Sequence, residues 1–169
     1  MKLERVGSSP TPPTNTMIVL DIKGKLVVDY RARDWCRLPY LGHPHGCPNY
    51  DHKPTCPPQV CFIDDWADMS GRMWFIVVPF DMRSHVDRMI GKHPNWSDRQ
   101  ARCVLYWQPK VNKLLKDEAT LFCLNKDAKF TTCPEAMGVN VIETARRVGL
   151  LIETHPKDIV YKVSLVVEE

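Results

Sequence analysis

Residues 35–61, WCRLPYLGHPHGCPNYDHKPTCPPQVC, hold four of the seven cysteines, six of the fourteen prolines and three of the six histidines. Thiolates are the ligands of choice for zinc and for iron–sulfur clusters. Cys36, Cys47 and Cys56 are separated by ten and eight residues, and Cys61 follows Cys56 after four. These are not the tight C-x-x-C pairs of zinc ribbons or fingers, nor the ferredoxin spacings. The neighbours say more than the spacing. Cys47, Cys56 and Cys133 are each followed directly by proline. Cys-Pro recurs at cluster ligands, and proline fixes its own φ and removes a backbone donor, which stiffens the turn presenting the sulfur. The expected ligands are therefore Cys47, Cys56 and Cys133, with Cys36 as the fourth and Cys61 in reserve. An all-thiolate site suits zinc as well as iron; the Cys-Pro context favours a [4Fe–4S] cluster over Zn2+.

Other candidates have plainer readings. Cys103 and Cys123 lie among apolar neighbours and read as core packing, since a lone cysteine behaves as a small hydrophobe. His43, His45 and His52 read as exposed turn residues rather than ligands. Asp64 and Asp65, adjacent in sequence, read as solvated. Trp35, Trp66, Trp96 and Trp107 are mostly core aromatics. Lys92, Arg99 and Arg102 beside Trp96 read as a solvated basic face rather than a phosphate site. The chain has no Walker A loop, no G-x-G-x-x-G and no G-x-S-x-G.

The elements that must position these cysteines follow from periodicity. With 169 residues, 44% hydrophobic and 25% charged, the composition is that of an ordinary globule. A net charge of +3 permits an anionic partner without demanding one. No apolar run reaches membrane-spanning length, and the first residues lack the apolar segment of a secretory signal. A cytoplasmic location is expected, where reduced thiols bind metals rather than pair as disulfides. Residues 1–16, rich in Pro, Ser and Thr, read as a mobile tail, and residues 17–169 as one domain. Alternation on both sides of Gly24 predicts a β-hairpin, with one long bent strand as the alternative. The Cys/Pro segment shows neither helical nor strand periodicity, so something else must hold it. MWFIVVPF predicts a central strand buried on both faces. Asp81 caps a helix that stops at Gly91. Ser97 and Gln100 form a capping box ahead of a helix through Leu115 that Pro109 kinks or splits. Residues 121–132 read as irregular. Asn140 caps a helix that ends at Gly149, and residues 159–167 alternate as a strand. The fold class is α+β, a mostly antiparallel sheet with helices packed on a face and a metal-organised Cys/Pro loop.

Two blocks carry a family resemblance. Gly46-Cys47-Pro48-Asn49-Tyr50 is followed by Cys56-Pro57-Pro58, and Glu135-Ala136-Met137-Gly138-Val139-Asn140-Val141 runs into Thr144-Ala145 and Gly149. In this order they resemble an uncharacterised prokaryotic family of predicted metal-binding, cysteine-rich proteins often credited with an iron–sulfur cluster. The resemblance implies ligation at Cys47 and Cys56, with Cys36 and Cys133. The family's C-x-x-C pair and Cys-Arg-His-Pro block have no counterpart here, so no second metal site is implied.

Three functions are compatible with such a site. The first is a cluster-binding module for electron transfer, sensing or docking of a protein or small-molecule partner. The second is an enzyme whose cluster has an open iron, acting as Lewis acid or sulfur acceptor. The third is a zinc module that binds nucleic acid. A Cys133 left out of the ligand set would instead be a nucleophile, its pKa lowered at a helix N-terminus.

Overall fold

The computed structural model describes residues 16–39, 43–124 and 126–169. Of the expected tail, all but Thr16 lies outside them. Four strands form one antiparallel sheet in the order β1-β2-β4-β3: β1 (Ile18–Asp21), β2 (Met73–Asp81), β3 (Ala128–Thr131) and β4 (Ile159–Glu168). The sheet and its helices make this an α+β protein. β2 and β4 form its spine, paired in register from Met73↔Val167 to Asp81↔Ile159.

β2 is buried on both faces, as its unbroken apolar run requires. Phe75 and Val77 point to one core, with Leu165 and Val167 of β4. Trp74, Ile76 and Val78 point to the other. Short helices α1 (Ile63–Trp66) and α5 (Val141–Arg147) contribute Ile63, Val141 and Ala145 to the first core. Three helices cover the second: α2 (Met82–Lys92), α3 (Asp98–Ala101) and α4 (Gln108–Cys123). Val111, Leu115 and Ala119 are the buried stripe of α4, four residues apart as a packed helical face demands.

The caps stand where the side chains allow. Asp81 accepts from Ser84 N at 2.8 Å, Asn140 accepts from Glu143 N at 3.0 Å, and Ser97 and Gln100 close a reciprocal capping box. Pro109 sits in the first turn of α4, where its missing N–H has no partner to lose. The expected long helix is thus divided into α3, a 3-10 turn at Val104–Tyr106, and α4.

Four expectations need correction. There is no hairpin at Gly24: β1 pairs with β2, and residues 26–29 turn instead towards α5. Val28 bridges to Val139, Asn140 N donates to Val27 O at 2.8 Å, and Val27 N donates to Thr144 Oγ1 at 3.0 Å. These partners come from more than a hundred residues later, which local alternation does not reveal. Gly91 does not stop α2, which continues through it to Lys92. Residues 121–132 are not irregular, because α4 runs to Cys123 and β3 follows. Cys103 is half-buried in the link between α3 and α4 and belongs to neither core.

Phe75, fully buried in the sheet, should be the costliest single truncation. Phe75→Ala is expected to lower the unfolding free energy by about 3–5 kcal/mol, read from urea denaturation of the metal-free protein. A loss below about 1 kcal/mol would show that this core is not packed as described.

Candidate metal centre

The site begins with a 3-10 helix, Tyr30–Arg37, that presents Cys36. Asp29 caps it by accepting from Arg31 N at 3.1 Å, and Asp29 N donates to Gly138 O at 2.8 Å. The cap therefore ties this helix to the segment that carries Cys133. Tyr30 donates its hydroxyl to Asp64, and its ring meets Phe62 edge-on at 4.8 Å. Asp64, read from sequence as merely solvated, is a docking partner for this helix.

The Cys/Pro loop packs back on the same helix. Cys47 N donates to Cys36 O at 2.7 Å. The close approach needs glycine at position 46: its φ is +84°, and a Cβ there would stand 2.7 Å from Cys36 O and 2.8 Å from the Arg37 carbonyl. Arg33 straps the far side, donating from Nη2 to Val60 O at 2.9 Å and Pro58 O at 3.1 Å. Within the loop, Cys56 N donates to Lys53 O, Val60 N to Cys56 O and Asp51 N to Pro57 O. The expectation that a metal alone would hold this segment is therefore too strong. It has its own frame of backbone hydrogen bonds.

Cys133 arrives from the opposite direction. β3 ends at Thr131, and Cys133 precedes a second 3-10 helix, Pro134–Met137. Cys133 N donates to Thr131 Oγ1 at 3.2 Å. Val139 N donates to Pro134 O, and Ala136 N to Cys133 O, which closes the turn.

Electrostatics shows which thiols share this space. Burial pushes the Cys36 thiol up to about 11, and Cys47, Cys56, Glu135 and Cys133 add to the rise. Burial also raises Cys133, with Glu135 and Cys56 adding to it against opposing contributions from the Thr132 hydrogen bond and Lys162. Cys36, Cys47, Cys56 and Cys133, all half-buried, thus share one electrostatic neighbourhood. Cys61 is exposed and stands apart from these interactions. The neighbours do not form a closed coordination sphere: among the described residues, no group of three or more His, Cys, Asp or Glu side chains is arranged to hold a metal ion. The raised Cys133 pKa runs against the low-pKa nucleophile reading, and the four-residue 3-10 turn that follows has little dipole to offset burial.

The remaining candidates fall elsewhere. His52 places Nδ1 2.6 Å from Tyr50 O, and His45 is exposed. Arg102 is committed to Asp98 at 2.7 Å and to Lys157 O at 3.0 Å. Trp107 is buried and stacks on Phe80, whereas Trp35 is exposed beside the cysteines and Trp96 stacks on His93.

Two residues at the site had no role in the sequence reading. Glu135 is raised by burial, with its own backbone N–H and Lys162 opposing the rise. Lys162 is lowered by burial, with Glu135, Cys133 and Cys47 opposing. Lys162 could have been noticed as a lone cation inside an otherwise apolar alternating strand. Glu135 was visible only as part of a motif.

The chain is thus an α+β protein in which Cys133, distant in sequence, lies near enough to Cys36 to act on its thiol. No protein-family model, curated protein or solved structure matches it. Among the described residues, no helix is long and apolar enough to cross a membrane.

Two outcomes follow. In the metal-free protein, Cys61 should alkylate quickly at pH 8 while Cys36 resists, its rate rising only towards pH 11. The raised pKa means that Cys36 contributes stability below the ordinary thiol value of 9.0 and that this contribution is lost as pH rises through about 11. Mass-spectrometric footprinting from pH 7 to 11 reads both residues, and equal rates at pH 8 would contradict the arrangement. Gly46→Ala should force Cys47 away from Cys36 at a cost of about 1–3 kcal/mol. Faster hydrogen exchange at the Cys47 amide checks this.

Proposed function

We propose that this chain binds a [4Fe–4S] cluster through Cys36, Cys47, Cys56 and Cys133 and serves as a small electron-transfer or sensing module. One observation supports the reading: Cys36 lies close enough to Cys47, to Cys56 and to the sequence-distant Cys133 for each to act on its thiol, and the Cys47 N–H donates to Cys36 O at 2.7 Å. Uncompensated, such a set is unfavourable, because burial and like charge both oppose thiolates. A cationic centre reverses that balance and deprotonates its ligands. The donor set is all sulfur, which fits a cluster. The Cys-Pro steps at Cys47, Cys56 and Cys133 favour iron–sulfur over Zn2+. Kinship with the cysteine-rich family that the two blocks resemble belongs to the same proposal, as does a reducing, cytoplasmic setting.

Because the loop carries its own backbone frame, binding should need side-chain rotation and modest loop closure rather than folding from disorder. Four thiolates would saturate the cluster, which suits electron transfer or sensing. The reading in which an open iron acts on a substrate has one observation in its favour, a cavity that reaches Glu135 and Lys162 beside the cysteines.

Anaerobic purification tests the proposal. The protein should be brown, contain about four iron and four sulfide per chain, and bleach in the visible on reduction. Cys133→Ser should lose or convert the cluster, while Cys61→Ser and Cys103→Ala should keep full iron. Stoichiometric zinc without sulfide would replace the cluster by a zinc site. An intact cluster in Cys133→Ser would remove Cys133 from the ligand set.

A further inference from the structure

A cavity of about 310 Å³ opens between α2 and α4, where β2 ends. None of the four cysteines lines it. Phe80, Trp107 and Val111 place it with the core that α2, α3 and α4 cover, across the sheet from the core of Met137 and Val139. The Phe80 and Trp107 rings stack with centroids 4.9 Å apart, and Leu114 adds a further apolar wall. Apolar walls with a few polar groups are those of a small-molecule site, and the volume stands at the small end of the usual range.

The charged lining residues are Asp81, Arg88 on α2 and Lys110 on α4. Asp81 is already used. Its carboxylate accepts from Ser84 N at 2.8 Å and from Ser84 Oγ at 2.7 Å, which caps α2. Among the described residues, Arg88 and Lys110 have no carboxylate within ion-pair distance. Exposed cations are ordinarily left to water, but Arg88 has an unusual support. Its Nη2 lies 3.3 Å from Nδ1 of His85, a residue only 3% exposed that also lines the cavity. Guanidinium can only donate, so Nδ1 accepts and the ring is neutral. Burial and the Arg88 charge favour the same neutral form, against the Ala101 backbone. The other nitrogen, Nε2, is buried without a hydrogen-bond partner among the described residues. Phenylalanine would fill this space and leave no polar atom unsatisfied. What imidazole adds is the acceptor that holds one edge of the Arg88 fork, with the remaining N–H groups left for a planar anion.

The charges select the anion. Arg88 and Lys110 against Asp81 leave the lining one positive charge in excess. A monoanion balances it, whereas a phosphate dianion would bring a second negative charge towards Asp81. We propose that this cavity binds a small apolar monocarboxylate, its carboxylate on the Arg88 fork with Lys110 beside it, and its apolar body against Trp107, Val111 and Leu114. His85 is a positioning residue that acts through Arg88. The site needs neither the cluster nor the cysteines, so this inference and the proposed function stand or fall separately.

The test is calorimetric titration of the full-length protein, as purified anaerobically, with phenylacetate, 3-methylbutanoate, phenyl phosphate and 2-phenylethylamine. At least one of the two carboxylates should bind once per chain, with phenyl phosphate and the amine roughly tenfold or more weaker. Arg88→Lys keeps the charge, removes the fork and should weaken the carboxylate roughly tenfold. His85→Phe should weaken it too while Tm holds or rises, an outcome that separates lost positioning from lost folding. Lys110→Glu, at an exposed position of α4, should weaken it without risk to the core, which keeps the test open if the other variants fail to fold. No binding of either carboxylate overturns the proposal, and so does phenyl phosphate or the amine binding as tightly. Unchanged affinity in Arg88→Lys or Lys110→Glu overturns it as well. Iron and sulfide are measured on the same samples. A colourless protein that binds the carboxylate keeps this inference and removes the cluster, and a brown protein that binds neither carboxylate does the reverse.

Discussion

The mismatch in length between β3 and β4 is the constraint on which the site depends. β4 is ten residues long and β3 only four. A sheet edge left unpaired exposes backbone donors and acceptors and must be covered. Here the chain leaves β3 at Thr131 and turns through Cys133 into the Pro134–Met137 helix, which packs against the Tyr30–Arg37 helix. Ser164 Oγ reaches across to Thr131 O at 2.8 Å, fixing where the departure occurs. A β3 extended to match its neighbour would leave no place for Cys133 beside Cys36 and no cavity next to Lys162.

The second dependence is on the clasp between the Cys36 helix and the segment after Cys133. Asp29 N to Gly138 O, the Val28–Val139 bridge and Asn140 N to Val27 O succeed one another. Thr144, fully buried, completes the clasp: its hydroxyl accepts from Val27 N and donates to Asn140 O at 2.8 Å. These polar contacts are mutually satisfied, so their burial costs little, and they hold the two cysteine-bearing segments in one register. Burial raises the Cys36 and Cys133 thiols, which keeps them protonated and uncharged near neutral pH, so they place no repulsion on the clasp.

Much of this was legible in the sequence, and the misses share a cause. β2, β4, the caps at Asp81, Ser97 and Asn140, and the position of Pro109 follow from signals within a few residues. Cys47, Cys56 and Cys133 stood out in the sequence because Cys-Pro marks the backbone locally, whereas Cys36, followed by Arg37, carries no such mark. Residues 26–29 were misread because their partners lie beyond residue 138. β3 was missed because AKFT is short and half-buried throughout, so no alternation shows. The loop's frame was invisible because it is built from backbone groups, which every sequence carries. Lys162 and Glu135 acquire meaning only from the cavity between them.

The strand order also sets a sequence in time. Among the described residues β3 pairs with β4 alone and β2 with β1 and β4, yet β4 is the last of these four strands to be synthesised. During translation the loop cysteines emerge early, while Cys133 and the segment that clasps residues 27–29 follow only after α4 and β3. Cys36, Cys47 and Cys56 therefore spend that interval beyond the reach of Cys133, open to oxidation or to an unintended metal. Those thiols are left to the surrounding redox conditions for longer than thiols grouped within one local segment would be.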